Sequence, residues 1–176
     1  AAIHRELGIP GNHGADRGMV LHREAPAADL IFIGKNPDGR DLHLVGPAAE
    51  AWRAMRTSAE VAGVELVPVS AFRSIDRQRE IIEGKLAAGK SITEILRYVA
   101  PPGFSEHHTG RAIDIGTAGH LDLEEDFAGT AAFAWLKDNA GRFGFTLSYP
   151  PGGANGIAYE PWHWCFAGLV NAEDDT

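Results

Sequence analysis

The sequence holds a single cysteine, Cys165, in 176 residues, which excludes an intramolecular disulfide and any zinc site built from clustered thiolates. Positive charge is also scarce: 16 Lys and Arg stand against 24 Asp and Glu, a formal net charge of −8. Binders of nucleic acid or anionic membranes carry a basic footprint, and this chain lacks one. Long apolar runs are missing. The longest near the start, Leu30-Ile31-Phe32-Ile33, is far too short to span a bilayer. Ala1 to Glu6 show no basic stretch followed by an apolar core, so no signal peptide is visible, and Ala1 in place of Met leaves a processed form open. What remains is ordinary. Hydrophobic residues at 44% and charged residues at 23% suit one globular domain of this length.

Residues 1–29 are rich in Gly, Pro, Ala and charge without a sustained period, and read as an irregular arm laid over the domain. Asn36-Pro37-Asp38-Gly39 is a turn signal joining Leu30–Gly34 to Asp41–Val45 as a hairpin. Gly46-Pro47 opens a helix with Trp52, Met55, Ala59 and Ala62 on one face, ended by Gly63. Val64 to Val69 alternates as a strand with Pro68 at its edge or end. Ser74 is a helix N-cap ahead of Ile81, Ile82 and Leu86, and Ser91 with Glu94 forms a capping box for a helix carrying Ile92, Ile95, Leu96 and Val99 to Pro101. A later helix carries Phe133, Leu136, Ala140 and Phe143, with Gly144 after it. Phe145–Tyr149 and Trp162–Phe166 read as closing strands. Helices and short strands that do not alternate regularly predict an α+β domain over 30–170, with an acidic tail at 171–176.

Of eight histidines, His4, His13, His22, His43 and His120 lie in polar surroundings and read as ordinary surface or hydrogen-bonded residues. The stretch from Ser105 to Ile115 is different. Gly110 permits a backbone reversal that turns His107 back toward the strand beyond it. Strand parity then puts Ile113 and Ile115 on a core face and Asp114 on the other, between the small residues Ala112 and Gly116. A carboxylate in mid-strand wants a cation, which a salt bridge would equally supply. In Glu160-Pro161-Trp162-His163, Pro161 holds Glu160 extended, and Trp162 and Trp164 take the face opposite His163 and Cys165. A core histidine between tryptophans is the plain alternative there. Taken together, His107, Asp114 and His163 are the ligand set of an open catalytic zinc site, with one ion and water in the fourth position. Glu160 is then the general base.

Ser105 to Asp114 fits S-x-H-x-x-G-x-A-x-D, Glu160 to His163 fits E-x-W-H, and Ser70-Ala71-Phe72-Arg73-Ser74 with Gln78 fits S-x-[YF]-R-S-x-x-x-Q. In this order they resemble the VanY-like D-alanyl-D-alanine carboxypeptidases of peptidase family M15, subfamily B, over roughly residues 40–168. The resemblance implies a small, mostly antiparallel central sheet with helices packed around it, of the hedgehog and D,D-peptidase type. It implies zinc on His107, Asp114 and His163, Glu160 as base, and Arg73, Gln78 and Ser105 around the C-terminal carboxylate of D-alanine. A guanidinium reads a free carboxylate through paired hydrogen bonds, which suits Arg73 as a substrate-binding and catalytic residue, with Gln78 adding a neutral donor. Phe72 stands where many relatives have Tyr. His108 is expected behind the ligands or on the rim, and Trp162 at the cleft wall, with core packing as its alternative.

The expected function is a zinc metallocarboxypeptidase that removes D-alanine from peptidoglycan stem peptides or muropeptides, with D,D-cleavage preferred. L,D-cleavage of tetrapeptides, D-Ala-D-Ala dipeptidase and endopeptidase activity remain alternatives. A non-catalytic zinc-stabilised binding module is the rival from another class. Glu160 separates the two classes, since a structural site has no use for an unligated carboxylate beside the metal. No nucleic acid is expected as partner, a monomer is expected, and the substrate class favours the cell envelope over the cytoplasm.

Overall fold

A computed structural model describes residues 2–168. Its centre is a four-stranded antiparallel sheet in which β3 (Val67–Ser70), β4 (Ala112–Gly116), β6 (His163–Phe166) and β5 (Phe145–Leu147) lie side by side in that order. Around it pack α3 (Gly46–Val61), α4 (Ile75–Ala87), the single turn α5 (Ile92–Ile95) and α6 (Ala131–Asn139). A separate hairpin, β1 (Leu30–Lys35) with β2 (Asp41–Val45), leads into α3. This is the expected α+β architecture.

The core forms on one face of the sheet. Ile113 and Ile115 are wholly buried in the cluster that holds Trp52, Met55, Leu136, Phe145 and Trp164. Each fully buried side chain of this size contributes about 1.5–3 kcal/mol of transfer free energy, enough to fix which face of β4 turns inward. That leaves Asp114 on the other face.

Several expected boundaries shift, each for a visible reason. The strand expected from Val64 begins only at Val67, because Val64 serves the end of α3. Its N–H bonds Ala59 O at 2.9 Å while Gly63, at φ 74°, bonds Glu60 O, closing a Schellman motif. Ala62, expected on the buried face, is the exposed C-cap. The Ser91–Glu94 capping box is present, yet α5 stops after one turn. Beyond it the Arg97 and Tyr98 N–H groups make tighter i→i−3 bonds, and Arg97 O receives the N–H of Ala158.

The N-terminal arm contains two short helices, α1 (Ala2–Glu6) and α2 (His13–Asp16), where an irregular segment was expected. Leu7 and Ile9 bury against Ile82, Ile95 and Leu96 in a second, smaller cluster. Glu6 pairs with Arg79 at 2.9 Å. Farther on, the arm runs beside the 103–108 segment. His22 N–H bonds Gly103 O and Ala25 N–H bonds His108 O, both at 2.8 Å, and the Glu24 carboxylate caps α4 by accepting from Ile75 N–H. His13, expected in polar surroundings, is buried here. A Cβ on neighbouring Gly14 would lie 2.5 Å from the Phe104 ring, so any larger residue there would have to displace that ring.

Candidate active site

The β4–β6 register sets Asp114 directly across from His163, with Ser70 of β3 on its other side. Cross-strand partners project to the same face, so carboxylate and imidazole meet on the side away from the core. His163 Nδ1 lies 3.0 Å from Asp114 Oδ1, and His107 Nε2 lies 3.1 Å from Asp114 Oδ2. All three residues are buried, and their ligand atoms fall within 4.8 Å of one another.

His107 arrives on a 3-10 turn, Glu106–Thr109, that ends at Gly110 with φ 66°. Gly110 is required twice over: its φ is left-handed, and a Cβ there would press on Val45 at 3.0 Å and Leu30 at 3.2 Å. His107 Nδ1 donates to Ala71 O at 2.6 Å, which leaves Nε2 without a proton. That Nε2 is buried and makes no hydrogen bond despite its nearness to Asp114. Burial, with the Arg73 charge beside it, holds the His107 pKa down to about 4. A bare, buried lone pair aimed at the same point as a carboxylate is what a cation requires. Nitrogen and oxygen donors about 2.1 Å from one tetrahedral ion sit about 3.4 Å apart, a few tenths of an ångström beyond the 3.0 and 3.1 Å here, and the set suits zinc.

Glu160 and His163 come together through a turn rather than along a strand. His163 N–H bonds Glu160 O at 3.2 Å, and Pro161 and Trp162 occupy the two central positions, which suits proline's fixed φ. The strand therefore starts at His163, one residue later than expected. The turn leaves Glu160 Oε2 3.8 Å from His163 Nδ1, on the ligand side of the ring. Burial lifts the Glu160 carboxyl to about 8 against the pull of His163 and Arg73. Burial alone would lower His163, but its bonds to Asp114 and Glu106 prevail and raise it to about 10.

Arg73 completes the floor, with Nη2 3.5 Å from Asp114 Oδ2 and a buried Nε that has no hydrogen-bond partner. Its main chain is pinned at both ends: Arg73 N–H bonds His107 O at 3.1 Å, and Arg73 O accepts from His108 Nδ1 at 2.7 Å. His108 is thus fully buried rather than on a rim, its Nε2 accepting from Gly103 N–H at 3.0 Å. A 3-10 turn advances about 120° per residue, so Glu106, His107 and His108 reach in three directions.

Gln78 and Ser105 are buried and line the same cleft, whose volume is about 710 Å³. Gln78 was expected to offer a donor. Its Nε2 is instead engaged by Ala100 O at 2.8 Å, a loop carbonyl that needs a partner, and Oε1 is the buried atom left unpaired. Trp162 does both things considered for it: it packs in the core cluster and borders the cleft. Three neighbours had no part in the sequence reading. Glu106 Oε2 lies 2.8 Å from His163 Nε2 and accepts from Ser148 Oγ at 2.6 Å, and the Tyr149 ring lies 4.9 Å from the His163 ring. Glu106 stood inside the recognised signature, but only the turn's rotation reveals its direction.

Two imidazoles and a carboxylate converging on one point, with a second carboxylate left free, make the layout of an open metallohydrolase centre. The chain belongs to the VanY family of D-alanyl-D-alanine carboxypeptidases, whose pattern matches residues 41–169. It is 33% identical over 125 residues to a D-alanyl-D-alanine carboxypeptidase of Enterococcus faecalis, an alignment covering 65% of this chain and 45% of that protein. It is also similar to the solved LdcB LD-carboxypeptidase, with a TM-score of 0.72, 33% identity, and coverage of 91% of this chain and 72% of that one. A D,D-pentapeptidase VanY solved with Zn(II) aligns with a TM-score of 0.63 and 26% identity, over 86% of this chain and 88% of that one. The chain spans about half the length of its curated relatives: 61%, 45% and 49% of three of them. No helix among the described residues is long and apolar enough to cross a membrane.

Proposed function

We propose that the protein is a zinc-dependent carboxypeptidase that removes the C-terminal D-alanine of peptidoglycan stem peptides, chiefly by D,D-cleavage. The observation that carries this reading is the meeting of Glu160, 3.8 Å from His163 Nδ1, with Arg73, 3.5 Å from Asp114, over one convergence of ligand atoms. His107 Nε2, Asp114 and His163 Nδ1 would hold the ion. When bound, zinc supplies Lewis acidity, polarising the scissile carbonyl and making water a usable nucleophile near neutral pH.

The chain's own groups do the rest. Burial holds the Glu160 carboxyl at about 8 without an ion, and beside a cation that value would fall. Glu160 can then take a proton from the attacking water and deliver it to the nitrogen of the leaving D-alanine. The peptide C–N bond breaks, giving a shortened stem with a new carboxylate and a free amino acid. Arg73 binds the substrate's C-terminal carboxylate, and its unpartnered Nε supplies one of the donors. Ser105 and Gln78 border that carboxylate, and Trp162 walls the cleft above it. Residues 30–170 act as the peptidase domain and 1–29 as its arm. We take the protein to act as a monomer.

A second reading, L,D-cleavage of tetrapeptide stems, is favoured by the similarity to LdcB. Incubation of the zinc-loaded protein with pentapeptide and tetrapeptide muropeptides, with a chelator control, decides by mass. Loss of one alanine from the pentapeptide is expected. Loss from the tetrapeptide alone would replace D,D by L,D, and no loss from either would overturn the carboxypeptidase reading.

A further inference from the structure

His163 has both ring nitrogens engaged, and by different groups. Nδ1 faces Asp114 Oδ1 at 3.0 Å and Glu160 Oε2 at 3.8 Å, while Nε2 faces Glu106 Oε2 at 2.8 Å. An imidazole presents a lone pair at one nitrogen only when its proton sits on the other. An ionised carboxylate accepts and cannot donate, so Asp114 and Glu106 can each hold a proton on the ring. Asp114 would serve the cation together with Nδ1, which leaves Glu106 to hold the remaining proton at Nε2. The reverse tautomer would set a lone pair against Glu106 and turn the ligand nitrogen away from His107. Ser148 Oγ donates to the same Glu106 oxygen at 2.6 Å and so fixes the rotamer of that carboxylate. His107 is oriented by a neutral carbonyl, Ala71 O, through Nδ1. The two imidazoles are therefore set by partners of different charge, and only His163 has a charged one.

We propose that Glu106, braced by Ser148, is a positioning residue that sets Nδ1 of His163 as the metal-facing nitrogen and strengthens the site's hold on a divalent cation. This rests on the reading of His163 as a metal ligand. A carboxylate behind a metal-binding imidazole orients the ring and raises its basicity, and losing such a partner typically weakens metal affinity by about 10–100-fold.

The test is zinc affinity, measured by competition with a chromophoric chelator at fixed pH, for the wild type, Glu106→Ala, Glu106→Gln and Ser148→Ala. Long-range proton–nitrogen correlation of the zinc-loaded histidine side chains reports which His163 nitrogen carries the proton. Glu106→Ala is expected to weaken zinc binding by roughly 10–100-fold. Glu106→Gln, which keeps an acceptor but no charge, should fall between, and Ser148→Ala should lose least. The wild type should show a proton on Nε2, displaced downfield by its hydrogen bond, and Glu106→Ala should lose that displacement. Affinities within about twofold of wild type in all variants, or His163 ligation through Nε2, would overturn the proposal. Should Glu106→Ala fail to fold, the other two variants decide by the same criterion. A wild-type chain that binds no zinc would instead defeat the reading of His163 as a ligand, and the role of Glu106 with it.

Discussion

On the sheet side of the cleft, Asp114 and His163 are fixed by strand register and meet through side-chain atoms, with the main core directly behind them. On the helix side, Arg73 is fixed through its main chain, by bonds to His107 and His108, next to a helix capped from the arm by Glu24. Behind that second wall, among the described residues, lies the small cluster of Leu7, Ile9, Ile82, Ile95 and Leu96. In the proposed reading, the sheet wall would hold the ion and the helix wall would hold the end of the peptide. The chemical step and substrate recognition should therefore fail separately.

Glu160→Gln should break the comparison hardest. Removing a general base costs about 10²–10⁴-fold in kcat, and zinc binding and KM should barely move. Turnover near the wild-type level would remove Glu160 from the reaction. Arg73→Ala should act from the opposite wall. Loss of charge-assisted hydrogen bonds is expected to lower kcat/KM by about 10–100-fold on a peptide with a free C-terminus, and hardly at all on its amide. Equal losses on both peptides would mean that Arg73 supports the fold rather than reading the carboxylate.

Metal affinity should depend on pH through the sheet wall alone. With no ion bound, burial lowers the His163 pKa, but its bonds to Asp114 and Glu106 outweigh that and raise it to about 10, so the ring is protonated at neutral pH. An incoming cation must displace that proton, so affinity should rise about tenfold per unit of pH between about 6 and 8. A flat profile in a zinc titration would show that His163 gives up no proton. The smallest effect is expected from His108→Gln. Losing the Nδ1 bond to Arg73 O is worth about 1 kcal/mol, so KM should rise severalfold with zinc affinity unchanged. A fall in zinc affinity in that variant would join the two walls into one unit.

Much of this is legible in the sequence. The parity of Ile113, Asp114 and Ile115 follows from a period of two, and the buried face of β4 obeys it. The Ser74 and Ser91 caps and the Gly63 and Gly144 stops are local chemistry and stand where expected. Contacts between distant segments were not legible. Glu106, Ser148 and His163 belong to three stretches that only the closed sheet brings together, and none has a composition that marks the pairing. The burial of His13 and His108 was hidden for the same reason: a histidine in a polar stretch shows nothing of the backbone that will cover it. In Glu160-Pro161-Trp162-His163 the spacing was visible, but its cause was a turn and not an extended lead-in.

The 3-10 turn at Glu106–Thr109 sends three neighbouring side chains to three separate places: Glu106 to β6, His107 toward β4, and His108 to Arg73, two residues ahead of α4. Such a stretch can accept a new letter at one position and lose one function by degrees. It cannot accept a new length. Deleting or inserting one residue between Ser105 and Gly110 would turn every later side chain by about a third of a revolution, so the errors would arrive together.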